Sequence, residues 1–114
     1  MSQEPFIIKH IDDIASCHTS HQVGVKTVLL GNDQPQSPIT QIARTTLKAG
    51  DNIDTHTHDT MDEHFYILQG EVTFIIGHTT HKCHAGNYLL VRAGTGHALK
   101  ATTDAEILTI GIAL

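Results

Sequence analysis

The stretch THTHDTMDEHFYILQGE, residues 55–71, sets His56 and His58 one residue apart and follows them with Glu63 and an apolar run that ends at Gly70. In an extended backbone side chains alternate between faces, so residues two apart point the same way. His56 and His58 therefore project together, while Thr55, Thr57 and Asp59 turn away. Asp59–Asp62 reads as a turn, after which Glu63 begins the next strand. If that strand pairs antiparallel with the first, Glu63 reaches the same point in space. Two imidazoles and a carboxylate are then in hand. A fourth donor must come from another strand, and His97, just after the glycine-rich turn RAGTG (92–96), is the natural candidate.

Outward from this stretch the chain keeps one rhythm. Turn residues recur at Gly31–Asp33, Ala49–Asn52, Gly70, Gly77, Gly86–Asn87, Gly94–Gly96 and Thr103–Asp104. Between them VKTVLL (25–30), ITQIARTTL (39–47), FYILQ (65–69), VTFII (72–76), YLLV (88–91) and EILTIGIAL (106–114) read as strands, being rich in β-branched and apolar residues. Short strands at such spacing imply an all-β sandwich or barrel. One turn or so of helix is expected within His10–Ser16. Asn32–Pro38, with its two prolines, reads as a loop. FYIL and YLLV are apolar on both faces, which implies cover on both sides. In a chain of 114 residues the second cover is expected to be another copy, giving a homodimer in which residues 5–10 add a strand to the neighbour.

Composition excludes several function classes. Seven Lys plus Arg against twelve Asp plus Glu give a net charge of -5, which is contrary to a phosphate-backbone partner. Aromatics make up 4% of the chain, too few for base-stacking platforms. No run approaches the roughly 18 apolar residues of a membrane span. The N-terminus carries acid early and does not read as a secretory signal, so a cytoplasmic location is expected. Cys17 and Cys83 stand far apart and read as reduced thiols. Of ten histidines, His64 alternates to the face opposite Glu63. His78, His81 and His84 cluster about a hairpin in GHTTHKCH, and His10, His18 and His21 read as solvated.

The pattern Gly50-(five)-His56-Thr57-His58-(four)-Glu63-(six)-Gly70 resembles the first signature motif of the cupin superfamily at every defined position, and Gly86-(five)-Arg92-Ala93-Gly94-(two)-His97 resembles the second. The resemblance spans residues 50–101, with motifs at 50–70 and 86–101, and implies a cupin jelly-roll barrel, with residues 1–114 forming one domain. Arg92 stands where the family usually has proline, which puts the stiffness of that turn in question, and Ala101 where it usually has asparagine.

The resemblance implies that His56, His58, Glu63 and His97 ligate one divalent transition metal per chain. Three imidazoles and a carboxylate suit Mn, Fe, Co, Ni or Zn and suit Ca or Mg poorly. Four protein donors leave two adjacent octahedral positions for a small-molecule ligand. Dioxygenase-like or isomerase-like chemistry on a small oxygenated molecule is one function this allows. A non-catalytic small-molecule or sugar-binding module is another, and a structural metal is the third. Candidate substrate contacts are Arg44, Phe65, Tyr88 and Arg92. Phe65 shares the inward parity of Glu63, and Arg44 faces either solvent or an anionic group in the pocket. For Tyr88 the choice of face stays open. Asp54 either orients a ligand or faces water.

Overall fold

A computed structural model describes residues 7, 9–31 and 37–114. Among the described residues lie ten strands: β1 (Cys17–His18), β2 (Val25–Leu30), β3 (Ile39–Leu47), β4 (Asn52–His56), β5 (Met61–Gln69), β6 (Glu71–Ile76), β7 (Thr79–His84), β8 (Tyr88–Val91), β9 (His97–Ala101) and β10 (Ala105–Ala113). They form a six-stranded sheet, in the order β1-β2-β3-β10-β5-β8, and a four-stranded sheet, in the order β4-β9-β6-β7. Every pairing within these sheets is antiparallel. This is the all-β architecture expected from the spacing of turns, in the jelly-roll form that the resemblance implies.

Within His10–Ser16 the chain makes one 3-10 turn, Ile11–Asp13, capped by the His10 ring, which accepts from the Asp12 amide. Residues 32–36 of the expected loop, and most of the 5–10 segment expected to add a strand to a neighbour, lie outside the described residues. Strands β1, β7 and β9 complete the sheets where the sequence offered only short or polar runs. TTHKCH (79–84) gains its strand character from pairing residue for residue with β6, from Glu71↔His84 to Ile76↔Thr79.

One expectation is corrected. β4 and β5, joined by the turn after the HxH pair, do not pair with each other. β4 pairs with β9, and β5 lies between β10 and β8 in the other sheet. The connection crosses between the sheets because β5 is apolar at Phe65 and Ile67 on its inner side and its two edges are met by β10 and β8. Glu63 consequently approaches the histidines from across the barrel rather than from a neighbouring strand.

The core lies between the sheets. Leu47, Phe65, Ile67, Val91 and Ile107 from one sheet meet Ile53, Val72, Phe74, Cys83 and Leu99 from the other. The Phe65 and Phe74 rings contact edge to face, with centroids 5.1 Å apart. On the opposite side of the six-stranded sheet, the register aligns Arg44, Leu108, Tyr66 and Tyr88, and beside them Ile42, Ile110, His64 and Leu90. This outer face is largely apolar and explains why β5, β8 and β10 lack a simple alternation.

Gly70 shows how tightly the sheets are joined. It adopts φ 80°, and a Cβ placed there would collide with the Asp104 carbonyl oxygen and lie 2.9 Å from the Ala105 Cα. Gly77 also has a positive φ, 59°, but a Cβ there meets nothing within 4 Å. Gly77→Ala should therefore cost only the backbone strain of about 1 kcal/mol, whereas Gly70→Ala should cost roughly 3 kcal/mol or more, since backbone must move. Equal losses in urea unfolding would refute the steric argument.

Candidate metal centre

The pairing of β4 with β9 makes His56 and His97 direct cross-strand partners, and their ring centroids lie 4.3 Å apart. His58 sits just past the end of β4, yet its ring remains beside that of His56, at 5.0 Å. Glu63, from the facing sheet, brings Oε1 to 3.3 Å from His97 Nε2 and 3.4 Å from His58 Nε2. One ligand atom from each of His56, His58, Glu63 and His97 falls within 4.8 Å of the other three. Donors on opposite sides of a transition metal lie roughly 4.2 Å apart, given metal–ligand lengths near 2.1 Å, so the set would need to contract only by about half an ångström. The donor chemistry and the convergence both fit such an ion.

Backbone carbonyls aim two of the rings. His56 Nδ1–H donates to the Asp54 carbonyl at 2.9 Å, and His97 Nδ1–H donates to the Thr95 carbonyl at 3.0 Å. In the neutral ring each bond fixes the proton on Nδ1 and leaves Nε2 free to ligate a metal. Asp54 thus orients the His56 ring through its backbone, while its carboxylate accepts from the Asn52 side-chain amide at 2.9 Å. The turn carrying Arg92 is held without proline: Ala93 N–H donates to the Asp62 carboxylate at 2.9 Å, and Gly94 N–H donates to the His58 carbonyl at 2.8 Å. Asp62 and His58 thereby tie the second motif to the first.

Burial is the largest influence on His56 and lowers its pKa below the ordinary imidazole value. The bond to the Asp54 carbonyl opposes this, and the charges of His97, His21 and His58 reinforce it. Burial also depresses His97, which is 1% exposed, but the Glu63 hydrogen bond, the Thr95 carbonyl and the Glu63 charge together hold its pKa above the ordinary value.

Beside the cluster opens a cavity of about 210 Å³, whose walls include His56, His58, Glu63, Phe65, His21, Lys26, Gln41 and Thr45. Phe65 is therefore inside, as its parity with Glu63 implied. Arg44, Tyr88 and Arg92 do not line this cavity. Arg44 lies on the outer side of β3, between Thr27 and Leu108, with its Nε buried and unpartnered. Tyr88 is 59% exposed and its hydroxyl meets His64 Nδ1 at 2.7 Å on that same outer side. Arg92 is exposed.

His21 is exposed, as expected, yet its ring also lies at the cavity wall, tilted against that of His56 with centroids 4.4 Å apart. The Thr19–Gly24 turn delivers it, closed by Thr19 Oγ1 donating to the Val23 carbonyl at 2.6 Å. No local spacing marks this long-range approach. Lys26 was equally overlooked, though it had a signal: it is the single charge in VKTVLL. Cys17 is exposed, Cys83 is buried, and both are free. No helix among the described residues is long and apolar enough to cross a membrane.

Comparison with known proteins agrees with this architecture. The Cupin domain family pattern matches residues 43–111. A predicted oxalate decarboxylase from Thermotoga maritima superimposes with a TM-score of 0.85 at 25% identity, over 95% of this chain and 100% of that one. Ectoine synthase from P. lautus gives a TM-score of 0.83 at 18% identity, covering 95% and 78% of the two chains. An RmlC-like cupin from Shewanella frigidimarina gives 0.77 at 12% identity, covering 98% and 93%. No curated protein sequence matches the chain.

The opposed shifts of His56 and His97 carry a sign. The raised His97 contributes stability that is fully present below about pH 6.5 and is lost as pH rises through its higher folded value. The lowered His56 contributes stability present above about pH 6.5 and lost as pH falls through its folded value. Glu63→Ala removes both the hydrogen bond and the charge that hold His97 up, so in chelator-treated protein the His97 ring should titrate at lower pH than in wild type. Histidine ring NMR across pH 4–9 reads this (a range set by the roughly 6.5 imidazole reference), and an unmoved His97 would contradict the assigned cause.

Proposed function

Because the chain belongs to the cupin family, whose domain pattern covers more than half of it, we propose that His56, His58, Glu63 and His97 hold one divalent transition metal per chain in a metal-dependent enzyme acting on a small oxygenated molecule. The carrying observation is that the cavity opens onto His56, His58 and Glu63, while His97 backs them from the buried side. Positions left by the four donors would then face the space a ligand enters rather than the protein interior.

A bound ion of this class supplies Lewis acidity toward a substrate oxygen and, if redox-active, an electron route for dioxygen chemistry. The chain's own residues set the conditions. Leu47, Ile53, Phe65, Leu99 and Ile107 wall the cavity with apolar surface and limit water. His97 is oriented by the Thr95 carbonyl, and Glu63 would supply the anionic donor. His21 stands beside His56 as an imidazole able to donate or accept a proton, a group that a binding-only module does not require. This favours dioxygenase-like or isomerase-like chemistry over a non-catalytic sugar-binding or small-molecule-binding role. The free thiols of Cys17 and Cys83 are compatible with a reducing, cytoplasmic setting.

We also infer a homodimer in which a second copy covers the outer face built from Ile42, Leu108, Ile110, Tyr66 and Tyr88. Light scattering should give twice the 12.4 kDa chain mass, and Leu108→Glu should return it to the monomer value. A monomeric wild type at micromolar concentration refutes this.

Elemental analysis of protein prepared without added metal tests the central reading. Alanine at His56, His58, Glu63 or His97 should strip or loosen the ion, and affinity should weaken below about pH 6, where imidazoles take up protons. His64→Ala should leave metal content unchanged, since that ring faces outward to Tyr88. If His64→Ala empties the protein as fully as His58→Ala does, the geometry assigned to the site is wrong. Iron would point to oxygen chemistry; zinc or manganese would favour isomerisation.

A further inference from the structure

We propose that the ligand of this cavity is a small organic acid whose carboxylate is received by Lys26 and Gln41, at the end of the cavity remote from the four donors. The inference rests on the metal-site reading and adds to it the charge and length of what binds.

The cavity has two polar ends. One is the His/Glu cluster on β4, β5 and β9. The other is on β2 and β3, where Lys26 Nζ approaches Gln41 Oε1 at 3.5 Å. Gln41 and Glu63 flank Gly111 in the same row of the six-stranded sheet, so their backbones are two strand spacings apart, roughly 10 Å. The position between them carries no side chain.

Charge is unbalanced across this space. Glu63 is the single carboxylate among the lining residues, and it is already engaged with His58 and His97. Lys26 pairs with no carboxylate among the described residues. A partly buried ammonium has three donors to satisfy, and one long contact to a neutral amide oxygen meets that need poorly. With a divalent ion in place and the imidazoles neutral, the lining would carry a net charge near +2, by adding the ion and Lys26 and subtracting Glu63. An anion is the ligand that such a lining desolvates at least cost. At about 210 Å³, against about 30 Å³ for each molecule of liquid water, the space holds an acid of roughly seven to ten non-hydrogen atoms.

Two acids that share one end separate the ideas. Malate and 2-hydroxybutyrate carry the same 2-hydroxy carboxylate, but malate has a second carboxylate where the other has a methyl group. Calorimetry on zinc-loaded protein should show malate binding tighter by about tenfold or more, the worth of a charge-assisted hydrogen bond. Lys26→Met should erase that preference while leaving zinc content unchanged, and should weaken 2-hydroxybutyrate far less than malate. Lys26→Arg should keep it, and Gln41→Ala should reduce it. The proposal is overturned if zinc-loaded wild type binds neither acid or does not prefer malate, or if the preference survives in Lys26→Met. A wild type that takes up no zinc, cobalt, iron or manganese overturns the metal-site reading itself, and this inference with it.

Discussion

The antiparallel register between β4 and β9 is the constraint from which the site follows. It sets His56 opposite His97, although 41 positions separate them in the chain. A slip of one residue would turn His97 to the other face of the sheet. At the Ala101 end the ladder is extended by two further bonds: Gly50 N–H donates to the Ala101 carbonyl at 2.8 Å, and Ala101 N–H donates to the Asp51 carbonyl at 2.9 Å. Ile53 and Leu99 pair in the same ladder within the core, and the one-residue irregularity between Ile53 and His56 brings His56, rather than Thr55, opposite His97.

The second sheet supplies charge where the first supplies geometry. Glu63 reaches both His58 and His97 from across the barrel, and its negative charge raises the proton affinity of His97 in the face of strong burial. The same sheet carries Lys26 and Gln41 on its inner side. The six-stranded sheet therefore contributes charged groups of both signs to one cavity, separated by strands whose inward residues are largely neutral. Placing opposite charges on separate strands keeps them from neutralising one another and leaves each available to a ligand.

Much of this was legible in the sequence because it depends on local periods. The six strands read from apolar runs are all present, and the HxH spacing, Glu63 and His97 converge. What escaped depends on partners. β7 and β9, the latter reading HALKA, are strands because β6 lies between them and pairs with both. The partner of β4 could not be read from the turn that follows it, since the chain crosses to the other sheet there. His21 escaped because a turn outside the main motifs carries it to the cavity. Arg44 and Lys26, each the odd charge in its strand, looked alike, yet the β2–β3 pairing puts them on opposite faces: Lys26 aligns with Thr45, and Arg44 with Thr27.

The rings of His56 and His97 are aimed by the carbonyls of Asp54 and Thr95, two positions upstream in each case. Every amino acid carries that carbonyl, so the aiming device has no side-chain address. Substitution at position 54 or 95 can alter solubility or local charge without deleting the acceptor, provided the backbone path is kept. Related sequences could therefore drift freely at both positions and still present the same nitrogen inward. A comparison of residue identities would record the histidines and stay blind to what points them.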